Sequence, residues 1–221
     1  ALAPASVQEM ADFVGLGFEL AFKYRDPAII LTDGIMGQMM EKVTLPPFQP
    51  RRTEEELVAE CPWAASGRKA GRKPNIITSL ELDPAKMEER NLSLQAKYQQ
   101  IEANEVRYEE FLCDDAEYLL IAFGSAARIC QKTVEIARAE GIKVGLLRPI
   151  SLWPFPTQAI AAYANRVKGM LSVELNAGQM VEDVRLAVEG AVNVAHFGRL
   201  GGIVFTPDEV LAALKDKLIN V

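Results

Sequence analysis

The sequence is poor in the residues that build metal and redox centres. Among its 221 residues there is one histidine, His196, and there are three cysteines, Cys61, Cys113 and Cys130. A single imidazole excludes a multi-histidine metal site and any pair of catalytic histidines. An iron–sulfur cluster takes about four thiolates at set spacings, so this chain alone cannot build one. Three scattered cysteines make no disulfide framework either, and free thiols in a reducing cytoplasm are expected. No apolar run approaches the roughly 18 residues that span a bilayer. Positive charge is also in deficit: 24 Lys and Arg face 30 Asp and Glu, a net charge of −6. That excludes broad electrostatic binding to nucleic acid or anionic lipid. The start, Ala1-Leu2-Ala3-Pro4, has neither the basic residues nor the apolar stretch of a signal peptide. It lacks methionine and opens directly on a helical pattern, so the expectation is a chain that begins inside a longer protein.

What is present is the mixture of a globular α/β protein, 49% apolar and 24% charged. From Ser6 to Tyr24 the apolar residues Val7, Met10, Ala11, Val14, Phe18 and Ala21 recur at helical spacing. Ser6 with Glu9 three residues on predicts a capping box. Asp26-Pro27 ends that helix, Ala28–Thr32 reads as a short buried strand, and Asp33-Gly34-Ile35-Met36-Gly37-Gln38 as a turn at its end. Pro46, Pro47 and Pro50 close this unit, which is too small to close a core by itself.

Residues 51–82 read as an irregular connector with a basic loop from Gly67 to Lys73. Asp83-Pro84 starts a helix, and Met87, Leu94, Tyr98, Ile101, Tyr108 and Leu112 extend it to about 40 Å. Its narrow apolar stripe predicts that it lies across a neighbouring domain or subunit. After Asp115 strands and helices alternate with short links, which predicts a parallel, doubly wound sheet.

These stretches, taken in order, resemble one known family. Ala3-Pro4-Ala5-Ser6-Val7-Gln8-Glu9, Pro27–Gly34 and Gly37-Gln38-Met39-Met40-Glu41 resemble the second half of its thiamine-pyrimidine domain. Gly145-Leu146-Leu147-Arg148-Pro149-Ile150, Leu152-Trp153-Pro154-Phe155-Pro156, Val173–Met180, Glu182-Asp183-Val184-Arg185 and Gly198–Gly202 resemble its transketolase-C-terminal-like (flavodoxin-like) domain. The family is that of the alpha subunits of 2-oxoacid:ferredoxin oxidoreductases. The resemblance is to the branched-chain type acting on 2-oxoisovalerate (3-methyl-2-oxobutanoate), with the 2-oxoglutarate type similar.

It implies an N-terminally truncated chain in three parts. Residues 1–48 would be the C-terminal half of the pyrimidine-binding domain, 49–114 a connector with the long helix, and 115–221 the transketolase-C-terminal-like domain. It also implies oxidative decarboxylation of a 2-oxoacid, with coenzyme A taking the acyl group and ferredoxin the electrons. Thiamine diphosphate, magnesium and iron–sulfur clusters would be bound mainly by other parts of the enzyme. The implied partners are a beta subunit that binds thiamine pyrophosphate, a gamma subunit and a ferredoxin-like subunit. No catalytic residue is expected in this chain, which would be inactive alone. Two other readings stay open: a stand-alone flavodoxin-like module for flavin or nucleotide, and a structural assembly domain.

The candidate residues follow from position. Asn176 and Gln179 flank a strand-to-helix turn at the carboxyl edge of the sheet, where helix N–H groups favour an anion; Asn176 as a helix cap and Gln179 as a subunit contact are the plainer alternative. Arg148, at a strand end, could grip a carboxylate or phosphate, or pair internally with Glu174 or Asp183. Arg199 lies in a glycine loop suited to a partner, a ligand or tight packing. Asp33, Gly34 and Gln38 are the cofactor-proximal candidates, although a bland turn suits Asp33-Gly34 better than a metal site. Ser125 reads as an N-cap, His196 as partly buried, and Arg68–Lys73 as a solvated loop.

Overall fold

The computed structural model describes residues 1–48, 50–65 and 74–220. The basic loop Arg68–Lys73 therefore lies outside the described residues. The chain forms two compact units, one of Ala1–Leu45 with Tyr98–Val221 and one of Pro46–Lys97, the latter carrying the short helix α2 (Glu54–Glu60).

The first unit is built on a five-stranded sheet of β1 (Tyr108–Phe111), β2 (Tyr118–Ile121), β3 (Val144–Pro149), β4 (Gly169–Glu174) and β5 (Val194–Gly198). Its order is β1-β3-β2-β4-β5, with β2 to β5 parallel and β1 antiparallel to β3 at the edge. Side chains alternate across it, as the strand period of two requires. Leu120, Leu146, Leu171 and Val173 pack under α4 (Gly124–Ala139) and α7 (Pro207–Leu214). Leu119, Ile121, Leu147 and Met170 pack under α5 (Thr157–Ala161) and α6 (Met180–Val188) on the other face. The doubly wound sheet expected from the strand–helix alternation is thus present.

The N-terminal helix α1 (Val7–Tyr24) begins at Ser6, whose hydroxyl accepts the Glu9 N–H at 3.1 Å. The expected capping box is incomplete, because the Glu9 carboxylate takes the N–H of Ala5 instead, at 2.7 Å. The buried strand expected at Ala28–Thr32 reduces to one bridge between Leu2 and Ile30, and Ile29 and Leu31 are about half exposed. Leu2 pairs on one side with Ile29 and Leu31. Pro4 then follows with no N–H to continue the ladder.

The long helix, α3 (Pro84–Asn104), is shorter than its sequence periodicity and stops before Tyr108 and Leu112. Glu105, just past its end, is buried. It accepts from Lys23 Nζ and the Tyr24 hydroxyl, each at 2.6 Å, and pairs with Arg107 at 2.9 Å. Those contacts fasten the chain to the end of α1 and turn it into the sheet as β1. Among the described residues no helix is long and apolar enough to cross a membrane.

Burial alone would raise the Glu105 pKa, but the Lys23, Tyr24 and Arg107 donors outweigh it and bring it from 4.5 to about 2. A depressed carboxylate stabilises the fold above its unfolded pKa and loses that contribution as pH falls through the folded value. Stability is therefore expected to drop between about pH 4.5 and pH 2 by at most about 3 kcal/mol, with solvent screening at the exposed Lys23 reducing it. Urea titrations over this range should show a shallower slope for Glu105→Gln. An identical slope in variant and parent would refute the assignment.

Candidate functional site

The parallel strands reverse direction of growth between β2 and β4, and open α/β sheets place ligands outside the carboxyl ends at such a switch point. A cavity of about 210 Å³ lies there, lined by Leu31, Thr32, Asp33, Phe123, Gly124, Ala126, Glu174, Leu175, Asn176 and Gln179. The fold therefore gathers three of the sequence candidates, Asp33, Asn176 and Gln179, from segments more than 140 residues apart.

Both helices that point their N-termini at this cavity are already capped by internal carboxylates. At α6, Glu174 is 1% exposed and its Oε2 accepts the N–H groups of Gln179 (3.0 Å) and Met180 (2.9 Å). Its Oε1 accepts the Val181 N–H and the Ser172 hydroxyl, both at 2.9 Å. Burial works to raise its pKa, but these donors prevail and hold it below the usual carboxylate range. At α4, Asp33 Oδ2 accepts the Ser125 N–H at 3.3 Å, while Oδ1 accepts the Met36 N–H at 2.8 Å. Asp33 is likewise depressed: burial opposes ionisation and the N–H donors overcome it.

The expected anion site at Asn176–Gln179 is therefore corrected. Its helix N–H groups are taken by Glu174, and a phosphate there would meet a buried negative charge. Asn176 does not cap α6 either, since its Oδ1 accepts the Gly178 N–H at 2.7 Å within the turn. Ser125 is not the N-cap of α4, a position held by Phe123. Glycine is favoured at 124 by its φ of +57°.

The remaining candidates lie elsewhere. Gly34 is exposed beside Asp33, and Gln38 is exposed at the end of a short 3₁₀ turn, Met36–Gln38. Arg199 is exposed and paired with Glu209. Arg148 is 6% exposed and lines a separate groove of about 600 Å³ near the start of α1. Its guanidinium grips Glu9 in a fork, Nη1 to Oε2 at 2.8 Å and Nη2 to Oε1 at 2.6 Å, with Glu109 at 3.0 Å. Neither expected partner, Glu174 or Asp183, is involved. His196 is partly buried, with Nε2 at 3.9 Å from Glu174 Oε1.

Glu174 is the site residue that sequence reasoning weighed only as a partner for Arg148. The available signal was a charged residue closing an apolar strand, Val173-Glu174-Leu175, immediately before a helix. Gly198, from the neighbouring strand, keeps the Glu174–Asn176 turn tight. A Cβ on it would lie 2.2 Å from the Asn176 carbonyl oxygen and 3.0 Å from that of Glu174. Gly198→Ala is thus expected to cost about 2 kcal/mol and to displace the turn, visible as shifted Asn176 and Gly178 amide resonances. Unshifted resonances and unchanged stability would contradict the packing.

The cavity offers carboxylate, amide and hydroxyl groups beside an apolar wall, suited to a small uncharged group with hydrogen-bond donors. Among the described residues no cluster of three or more His, Cys, Asp or Glu could hold a metal ion. With both helix N-termini capped, the described residues do not fit a diphosphate and its cation.

Two family models match the chain. "Pyruvate flavodoxin/ferredoxin oxidoreductase, thiamine diP-bdg" covers residues 1–110, and "Pyruvate:ferredoxin oxidoreductase core domain II" covers 116–210. The fold is that of the 2-oxoglutarate:ferredoxin oxidoreductase from Magnetococcus marinus, with a TM-score of 0.76 at 22% identity over 97% of this chain and 41% of that one. Ketoisovalerate oxidoreductase subunit VorB of Methanothermobacter thermautotrophicus is 46% identical over 97% of this chain and 59% of its own. 2-Oxoglutarate synthase subunit KorA of Methanothermobacter marburgensis is 31% identical over 96% of this chain and 62% of its own. The open sheet with its switch-point crevice is of the α/β class, and the two family models in succession define the family. The chain belongs to the 2-oxoacid:ferredoxin oxidoreductase family. It spans about three fifths of the length of the curated relatives it matches.

Proposed function

We propose that this chain is part of the alpha-type subunit of a thiamine-diphosphate-dependent oxidoreductase acting on 2-oxoisovalerate. The observation that carries the reading is the 46% identity to a ketoisovalerate oxidoreductase subunit over 97% of the chain. In the proposed reaction the 2-oxoacid loses carbon dioxide, its acyl carbon forms a thioester with coenzyme A, and two electrons pass to ferredoxin. This chain supplies the sheet domain and the C-terminal half of the pyrimidine-binding domain, while thiamine diphosphate, magnesium and iron–sulfur clusters are held chiefly by the rest of the assembly. The part boundaries near residues 48 and 115 belong to the same proposal, as do the beta, gamma and ferredoxin-like partners. Asn176 and Gln179 line a wall of the substrate or coenzyme A route with their neutral amides, facing an uncharged part of the passing molecule, because Glu174 takes the helix N–H groups that would bind an anion.

The flavin- or nucleotide-binding alternative is not supported. Asp33 occupies the N-terminus of α4, where such a module would receive the phosphate.

The test is reconstitution with the neighbouring subunits, followed by 2-oxoacid-dependent viologen reduction. The expected result requires thiamine diphosphate and coenzyme A and favours 2-oxoisovalerate over 2-oxoglutarate by at least about tenfold, a discrimination worth roughly 1.4 kcal/mol. A preference for 2-oxoglutarate would overturn the substrate, and no reduction with any 2-oxoacid would overturn the reading.

A further inference from the structure

The switch-point cavity combines negative charge with little free bonding capacity. Its lining holds two carboxylates, Asp33 and Glu174, and no lysine or arginine. Arg199, which follows β5, is already paired with Glu209. Four donors engage the Glu174 oxygens, and two backbone N–H groups engage those of Asp33. Those donors keep both groups ionised at neutral pH. Each helix N-terminus offsets about half an elementary charge, so two carboxylates at the starts of α4 and α6 leave about −1 on the cavity.

What the cavity still offers a guest is mainly apolar. Leu31, Phe123, Ala126 and Leu175 line it beside the neutral amides of Asn176 and Gln179. Its volume of about 210 Å³ is below the roughly 300–1,000 Å³ of pockets that enclose a drug-sized ligand. It therefore takes the end of a small molecule and not a long flexible arm. An aliphatic end gains apolar contact there. An anionic end finds the helix N–H donors already taken and faces two like charges.

We propose, resting on the 2-oxoacid oxidation inferred above, that Asp33 and Glu174 set substrate preference by excluding 2-oxoacids whose side chain ends in a second carboxylate. 2-Oxoisovalerate and 2-oxoglutarate share the reacting end, a keto group beside a carboxylate, and differ in the side chain. The reacting end stays outside the cavity and the side chain enters it. The isopropyl group of 2-oxoisovalerate then packs on Leu31, Phe123 and Leu175. The distal carboxylate of 2-oxoglutarate instead meets Asp33 and Glu174, with no lysine or arginine in the lining to pair with it.

Specificity here comes from repulsion of the wrong substrate as much as from contact with the right one. The two contributions separate by charge. Pyruvate, whose methyl side chain is uncharged, meets no repulsion and loses only apolar contact relative to 2-oxoisovalerate. Changing the charge of the cavity therefore moves 2-oxoglutarate against both of the others. Damage to its shape moves pyruvate against 2-oxoisovalerate as well.

The experiment uses the assembled complex and measures kcat/KM for viologen reduction with 2-oxoisovalerate, pyruvate and 2-oxoglutarate. Asp33→Asn removes one charge at nearly constant shape, and Gln179→Lys adds a cation at an exposed position without touching the carboxylates' bonds. Each is expected to raise 2-oxoglutarate relative to 2-oxoisovalerate by about tenfold, with the pyruvate to 2-oxoisovalerate ratio held within about twofold. Glu140→Gln changes charge equally, but at the far end of α4 beside Lys215, and should move neither ratio. Charge exclusion is overturned if neither cavity variant moves the 2-oxoglutarate ratio, or if both ratios move together. A raised KM for coenzyme A at unchanged 2-oxoacid ratios also overturns it and gives the cavity to the coenzyme. A parent complex that reduces viologen with no 2-oxoacid is a different failure, which removes the oxidoreductase reading and this assignment with it.

Discussion

Replacing Glu174 by glutamine is expected to lower the unfolding midpoint by roughly 6–12 °C, following a loss of about 3 kcal/mol in a protein of this size. The reason lies in donor counting. Three backbone N–H groups and one hydroxyl converge on the two carboxylate oxygens. An amide has one acceptor oxygen, and its NH₂ group would face donors in a dry site. At least one buried N–H would be stranded, and the helix N-terminus would lose its compensating charge. The volume is unchanged, so no cavity contributes. Glu174→Ala should cost more, because it adds a void and frees all four donors. Thermal unfolding followed by circular dichroism decides the matter. A glutamine variant melting within about 1 °C of the parent would mean that the carboxylate carries no structural charge.

Glu174 also marks where sequence reasoning stops. The strands β2, β3 and β4 were legible because each is a short, nearly continuous apolar run covered on both faces, and short links fixed their parallel sense. The edge strand β1 was not. Tyr108 and Leu112 continue the three- and four-residue spacing of the preceding helix, and nothing local announces that Glu105 will be buried by Lys23 and Tyr24, over 80 residues earlier. The stretch Ala28–Thr32 has the composition of a core strand, yet its pairing depends on Leu2, which Pro4 soon stops. At the site, the strand-to-helix turn at Asn176–Gln179 was readable from position. Which group would occupy its N–H donors was not, because Glu174 is in the strand itself and Asp33 arrives from 92 residues before Ser125. Chemistry visible in one segment was legible; pairings between distant segments were not.

Arg148 is the sharpest case of such a pairing, and it carries the second large expected effect. Its guanidinium, with 7% of the side chain exposed, joins α1 to the sheet through Glu9, 139 residues away, and to β1 through Glu109. Burial works to lower the arginine pKa, but the two carboxylates raise it; Glu9 is correspondingly held below its usual value against the effect of its own burial. Removing either partner is not equivalent. Glu9→Leu leaves the guanidinium buried with only the exposed Glu109 beside it and should cost about 3–4 kcal/mol. Arg148→Met removes the buried charge and leaves Glu9 able to reach water, so its cost should be nearer 1–2 kcal/mol. Once Arg148 is methionine, the further change of Glu9 to leucine forfeits mainly its bond to the Ala5 N–H. The double variant should therefore be more stable than additivity predicts, with a coupling of at least about 1 kcal/mol. Urea midpoints of the four proteins measure it. Additive losses would show that the fork is a surface contact, whereas strong coupling would establish Arg148 as the clamp holding the N-terminal helix on the sheet.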